Sequence, residues 1–242
     1  MTATLVLLPG LGGDASLWAD QVAALAPHFH VHASEAHFDA GSIADMAAAV
    51  LAETPGPLVV CGTSMGGFIA LEMMRQARER IAGLALLGTA AHADPPDVAT
   101  FRRNAIATIE RHGLDAFIET GWRRAVHVSR HEDRALASRI LGANRRVGQP
   151  RYMRQLEAII ERPQAEDSAA MVACLTIILH GREDTLIPGT SAEHLARCIP
   201  SARLEFLAEC GHMPNIEHPI HITRALRDLT RYSLDRLTPG RD

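Results

Sequence analysis

Leu58-Val59-Val60-Cys61-Gly62-Thr63-Ser64-Met65-Gly66-Gly67, followed by Phe68-Ile69-Ala70-Leu71-Glu72-Met73-Met74, is the stretch that decides the fold. An apolar run rich in valine stops at a glycine, and an apolar pattern with helical spacing begins a few residues later. Between the two, Gly62-x-Ser64-x-Gly66 has the spacing of a nucleophile elbow. A strand that turns directly into a helix holds its middle residue in a strained conformation, and side chains on either side of it would collide. The strain lifts the Ser64 hydroxyl clear of its own backbone at the carboxyl end of the strand. The N–H of Met65, opening the helix, then points at whatever Ser64 attacks. Taken alone, the same residues also fit a plain strand–helix turn with Ser64 as a cap. The rest of the chain decides.

With 242 residues the chain suits one α/β domain or two small ones and is long enough to bury a core. No apolar run reaches membrane-spanning length, and the first residues lack the basic segment of a signal peptide, so a cytoplasmic protein is expected. Cys61, Cys174, Cys198 and Cys210 are scattered without a C-x-x-C pair, which implies neither a disulfide framework nor a zinc site. Cys61 and Cys174 read as small core residues of apolar strands. The net charge of −4 speaks against a nucleic-acid partner. All 24 basic residues are arginine, which we read as the codon bias of a GC-rich bacterium.

Outward from the elbow, the pattern alternates. Thr4 to Leu8 is a strand ended by Pro9-Gly10-Leu11-Gly12-Gly13, after which Asp14 or Ser16 caps a helix to about Ala26. His30 to Ala33 is a second strand, and Ser42-Ile43-Ala44-Asp45 has the form of a capping box for a helix to about Glu53. The Leu58–Cys61 strand, the elbow helix to about Arg80 and a strand from Ile81 to Leu87 follow, so the sheet is parallel with helices on both faces. From Asp94 to about Gln164 only helical patterns occur. Strands at Leu175–Leu179 and Arg203–Leu207 then resume the alternation, with helices at Thr190–Ile199 and from Pro219 to about Leu237. An all-helical insertion between two strands of one sheet is expected to lie over the strands' carboxyl ends, where such sheets bind ligands.

An activated serine needs a base within hydrogen-bond reach and a group that orients the base. Gly181-Arg182-Glu183-Asp184 leaves one late strand and offers Asp184. Gly211-His212 leaves the last strand and offers His212. The order along the chain is Ser64, Asp184, His212.

On Pro9-Gly10-Leu11-Gly12-Gly13-Asp14, Gly62-Thr63-Ser64-Met65-Gly66-Gly67, Gly181-Arg182-Glu183-Asp184 and Gly211-His212, the chain resembles the α/β-hydrolase superfamily over essentially its whole length. It resembles most the small-capped group that includes enol-lactonases, carboxylesterases and carbon–carbon bond hydrolases of aromatic degradation. The resemblance implies an α/β-hydrolase fold, a mostly parallel sheet of about six strands flanked by helices. The core would be residues 1–93 and 165–242, and the helical cap residues 94–164. It implies Ser64 as nucleophile, His212 as base and then acid, and Asp184 as the group that orients the imidazole. The backbone N–H groups of Leu11 and Met65 would form the oxyanion hole, each worth about 10²–10³ in turnover. Neither cofactor nor metal is implied. The expected partner is a small-molecule ester or lactone, not nucleic acid or membrane; monomer and homodimer both stay open. Pro9 stands where the family commonly has histidine, and the chain begins at the strand before the oxyanion loop without the usual antiparallel pair.

Other readings compete. Glu183 or Asp94 is an alternative to Asp184, and His212 could be a structural loop residue, with His218 and His221 on the surface nearby. Carbon–carbon bond cleavage uses the same triad, but its members usually carry asparagine where Thr63 stands. A ligand receptor with slow turnover is a further possibility of the fold. From another class, Gly10-x-Gly12-x-x-Ala15 with Glu35 twenty residues on matches a dinucleotide-binding pattern and would suggest a nicotinamide-dependent oxidoreductase. His28, His30 and His32 alternate along a strand as metal ligands can, and His127 and His131 are four apart on a helix of the insertion. Met65, Met73 and Met74 read as core or pocket lining. The insertion is rich in arginine, with pairs at Arg102-Arg103, Arg123-Arg124 and Arg145-Arg146. Most would be a solvated face. Arg123 or Arg124, beside Trp122, is the expected grip on a substrate carboxylate.

Overall fold

The computed structural model of the protein describes residues 3–237. Six strands, β1 (Thr4–Leu8), β2 (His30–Ala33), β3 (Leu58–Thr63), β4 (Ile81–Leu87), β5 (Leu175–Gly181) and β6 (Arg203–Leu207), form one sheet in the order β2-β1-β3-β4-β5-β6. Every neighbouring pair is parallel. Parallel neighbours require crossovers. These carry α1 (Ala19–Leu25), α2 (Ile43–Glu53) and α3 (Met65–Ala77) in the first half of the chain. Between β4 and β5 run α4 (Pro96–His112), α5 (Leu114–Gly121), α6 (Arg134–Val147), α7 (Gln149–Glu161) and the short α8 (Glu166–Ala170). α9 (Gly189–Cys198) joins β5 to β6, and α10 (Pro214–Glu217) and α11 (Pro219–Leu237) follow β6.

The central strands are continuously apolar because both faces are covered. Alternation then divides the core. Leu5, Leu7, Val59, Cys61, Ala85 and Leu87 pack with α1 and α11. Val6, Leu8, Val60, Leu84 and Leu86 pack with α2 and α3. α2 starts where the sequence marks it: Ser42 Oγ accepts from Asp45 N at 3.1 Å. Ahead of α1, Asp14 rather than Ser16 is the cap. It accepts from Ser16 N at 3.0 Å and opens a 3-10 turn, Ala15–Trp18, before α1 begins. Cys174 lies just before β5, half-buried, and not in a strand as the pattern suggested.

Strand order reverses between β1 and β3. The chain leaves β1 toward the β2 edge and returns on the other side of β1 as β3. The loops after β1 and β3 therefore diverge from adjacent strand ends, which opens a crevice at the carboxyl edge. Ser64 heads one loop and Gly10-Leu11 the other.

Helices α4 to α7 have a core of their own, built on Ile109, Ile118, Trp122, Ile140, Tyr152 and Leu156, and joined by Leu17 and Ile216 from the sheet side. Their arginines tie the insertion down: Arg139 to Asp20 at 2.6 Å, Arg146 to Asp14 at 2.6 Å and Arg151 to Asp39 at 2.8 Å. At its base Ala165 N donates to Ala91 O at 2.6 Å, and the buried Arg162 meets Asp94 at 2.8 Å. Among the described residues no helix is long and apolar enough to cross a membrane.

The elbow leaves no room for side chains. A Cβ on Gly62 would lie 2.1 Å from Gly66 O, and one on Gly66 would lie 2.3 Å from Leu8 O. Gly62→Ala is therefore expected to lower stability by about 2–3 kcal/mol. Gly41→Ala, where nothing lies within 4 Å, should change it by less than about 0.5 kcal/mol. Urea midpoints at unchanged slope measure both. A second expectation concerns His37, after β2, which is fully buried with neither ring nitrogen hydrogen-bonded among the described residues. Burial pushes its pKa down to about 4 against a weaker opposing pull from Glu53. Between pH 6.5 and about 4 the unfolded chain binds a proton there that the folded protein refuses, so stability falls as pH drops through that window. His37→Leu should flatten the fall by up to about 3 kcal/mol, read from unfolding midpoints across that pH range.

Candidate active site

Ser64 stands alone between β3 and α3 with φ 54° and ψ −115°, a conformation rare outside glycine. Its own backbone is held on both sides. Ser64 N donates to Leu87 O at 2.8 Å, and Ser64 O accepts from Thr89 Oγ1 and from Gly67 N, each at 2.9 Å. The side chain is partly exposed, as a nucleophile must be.

His212 sits in the loop between β6 and α10. Its Nδ1 donates to Asp184 Oδ2 at 2.7 Å, with both residues buried. Asp184, leaving β5, accepts at Oδ1 from the amides of Leu186 (2.8 Å) and Ile187 (3.0 Å). Burial works to raise its pKa, but the His212 imidazole, the Ile187 amide and His180 outweigh it and hold the carboxyl below its usual range. Asp184 is thus the one of three acids named by the sequence that meets His212. Glu183 accepts from Cys210 N at 3.1 Å, and Asp94 pairs with Arg102 and Arg162.

The three candidate residues converge around Gly88. Gly88 directly follows Leu87, whose carbonyl binds Ser64 N. A methyl on it would lie 3.4 Å from His212 Nδ1 and 3.6 Å from Asp184 Oδ2. The hydrogen bonds of the described residues include none from Ser64 Oγ to His212; in unliganded sites that link is commonly long.

The loop after β1 lies against the serine. A methyl on Gly10 would be 3.9 Å from Ser64 Oγ. Gly13 N donates to Gly10 O at 2.9 Å, and Gly12 N to Gln155 Oε1 at 2.8 Å. The amides of Gly12 and Gly13 are thus engaged, while those of Leu11 and Met65 have no acceptor among the described residues.

Sequence reasoning missed several residues here. Gln155 and Asn144, from α7 and α6, hold the N–H and the carbonyl of Gly12, the latter at 2.7 Å. Tyr152 covers the same glycine closely enough that a Cβ on it would lie 2.5 Å from the ring. Nothing in a helical pattern flags which polar residues face a distant loop. His180, fully buried, donates from Nε2 to Ile187 O at 2.9 Å beneath Asp184, and burial lowers its pKa. Glu217 accepts from the amides on either side of His212. Its place five residues after the histidine was the available signal.

Several expectations are corrected. Trp122 is buried in the core of the insertion. Arg123 is exposed, stacks over Trp122 at 5.0 Å and donates to His131 O; Arg124 is exposed over Phe101. Neither is the inward arginine. His127 and His131 flank a 3-10 turn, Val128–Arg130, instead of sharing a helix. His28 lies outside β2, and His32 pairs with Glu53 at 2.8 Å; no cluster able to hold a metal ion exists among the described residues. His218 bonds Glu209 O and His221 pairs with Glu205, His221 being exposed as expected. The dinucleotide pattern also dissolves. Tyr152 and Asn144 fill the space over Gly12, and Glu35 accepts from Ala15 N at 2.9 Å within the loop itself.

Comparison with known proteins agrees with this geometry. A model of the alpha/beta hydrolase family matches residues 5–226. A pimeloyl-[acyl-carrier protein] methyl ester esterase of Aromatoleum aromaticum is 30% identical over 204 residues, covering 76% of this chain and 78% of that protein. Among solved structures, a malate-bound thermophilic esterase of Thermogutta terrifontis is 26% identical with a TM-score of 0.84, over 96% of this chain and 91% of the other. The enol-lactonase of Burkholderia xenovorans LB400 shares the fold at 24% identity and a TM-score of 0.82, over 95% and 91% of the two chains. A parallel sheet with its serine at the switch point, matched by the family over nearly its whole length, makes this chain a hydrolase of the alpha/beta hydrolase family.

Proposed function

We propose that the protein is a serine hydrolase of small carboxylic esters or lactones. The observation that carries this reading is the buried bond from His212 Nδ1 to Asp184 Oδ2, 2.7 Å long, beside a serine held at positive φ at the head of α3. Ser64 Oγ attacks the carbonyl carbon while His212 Nε2 takes its proton. Asp184 steadies the imidazolium through Nδ1–H, and its depressed pKa keeps it ionised throughout the neutral range. The carbonyl oxygen, now an oxyanion, accepts from the N–H groups of Leu11 and Met65. His212 returns the proton to the leaving alcohol oxygen, and the acyl group stays on Ser64. Water attacks the acyl-enzyme with His212 as base, and the acid departs. The chemistry draws on these groups and water alone.

Residues 94–164 act as a cap over this site, with residues 1–93 and 165–242 as the hydrolase core. The backbone bond from Ala165 to Ala91 and the Arg162–Asp94 pair support that division. Leu11, in the loop against Ser64, and Met213, next to His212, are half-buried and apolar, which favours an uncharged acyl group. The relatives named as esterases support an ester over a carbon–carbon bond.

Hydrolysis of short-chain p-nitrophenyl esters tests the reading. Ser64→Ala should lower kcat by about 10⁴-fold or more while circular dichroism stays unchanged. Equal inactivity of wild type and variant would overturn the ester assignment.

A further inference from the structure

The loop that carries His212 lies beyond the sheet and has no strand ladder to fix it. Around the histidine its backbone is held chiefly by one side chain. Glu217, at the end of α10, is 4% exposed. Its Oε1 accepts from Gly211 N at 3.0 Å and from Met213 N at 3.1 Å, the residues immediately before and after the histidine. Its Oε2 accepts from Gly211 N at 3.0 Å and from His127 N at 2.7 Å. The amide of His212 itself donates to Ala125 O at 3.1 Å. Residues 125–127 of the helical insertion and residues 211–213 are thereby laced together around one buried carboxylate. Among the described residues it makes no ion pair; Arg130 bonds only its backbone carbonyl.

A buried carboxylate without a cation is costly unless its oxygens are filled by donors. Here three backbone N–H groups fill them, so the bonds are charge-assisted and short-ranged in what they can tolerate. Glutamine has one acceptor oxygen and sets two donors in place of the other, where they would face a backbone N–H that has lost its acceptor. The substitution keeps the shape and removes the pattern.

We propose that Glu217 is a positioning residue for the reaction: it fixes the backbone on both sides of His212, and so the imidazole against Asp184, and it couples that position to the insertion. The proposal rests on His212 as the base. A displacement of about 1 Å at such a group costs about 10²-fold in rate. The effect belongs in kcat, because Glu217 itself lies behind the loop and touches neither Ser64 nor the oxyanion donors.

Two variants test it. Glu217→Gln should lower kcat by about 10–100-fold with KM changed by less than about threefold. His127→Pro removes a single donor from the cluster. The φ of −60° at His127 and the extended backbone of Val126 both suit proline, whose Cδ then pushes against Glu217 Oε2 where the N–H stood, and circular dichroism checks that the fold is kept. The second readout needs no substrate. The Nδ1 proton shared by His212 and Asp184 gives a far-downfield NMR resonance, assigned by its loss in His212→Gln. In both variants it should shift or broaden. A variant that merely loses thermal stability, with that resonance and kcat unmoved well below its melting temperature, overturns the inference. A resonance that responds in a wild type that cleaves no ester would leave the positioning role standing and remove the ester reading instead.

Discussion

The site depends on one backbone constraint, the turn at Ser64. Holding a non-glycine residue at φ 54° and ψ −115° costs about 1–3 kcal/mol, and the conformation persists only where its surroundings leave no alternative. Here they leave none. Ser64 N is bound by β4 through Leu87 O, and its carbonyl by Thr89 and the first turn of α3. Gly62 packs against Gly66, and Gly66 against the carbonyl of Leu8, so α3 can approach the sheet only with both side chains missing. That approach brings the end of β1 alongside the serine. The free N–H groups of Leu11 and Met65 are thus a product of backbone packing at the point where strand order reverses.

The other half of the machinery obeys a different rule. Asp184 leaves β5 and is anchored by its own turn, through the Leu186 and Ile187 amides and through His180 beneath it. His212 has no such turn. Its ring is held by Asp184, and its backbone by Ala125 O and the Glu217 carboxylate, so one of its three supports comes from the insertion. The loop after β1 is likewise gripped from the insertion, by Gln155 and Asn144. A group of helices that looks like a lid in the chain order is therefore also part of the frame.

The strands, their parallel alternation with helices and the three candidate catalytic side chains were legible because each leaves a local trace. Apolar runs of strand length, glycines spaced around a serine, and an acid and a histidine just past later strands are short-range patterns. What was not legible involves pairs far apart in the chain. Gln155 meets Gly12 across 143 residues, and Glu217 meets His127 across 90. Gln155 does not differ, in sequence, from any polar residue on a helix, and Glu217 is marked only by its place five residues after the histidine. The dinucleotide pattern failed for the same reason: Gly10-x-Gly12 has the right spacing, but what fills the space above Gly12 is Tyr152, supplied by a distant helix.

The arginines of the insertion show why paired basic residues misled. A guanidinium in a folded interior must take partners before any substrate arrives, since leaving it bare there costs several kcal/mol. The arginine that does turn inward is Arg162. It is held by Asp94, by the carbonyls of Ile159 and His92, and by the ring of Phe68 at 3.9 Å. Burial lowers its pKa, against the pull of Asp94, and three of its N–H donors are already in use. Arg139, Arg146 and Arg151 are engaged in the same way with acids of the core. These three arginines spend their charge holding the insertion to the core, and it is apolar side chains, Leu11 after β1 and Met213 beside His212, that pack half-buried against the insertion's own core.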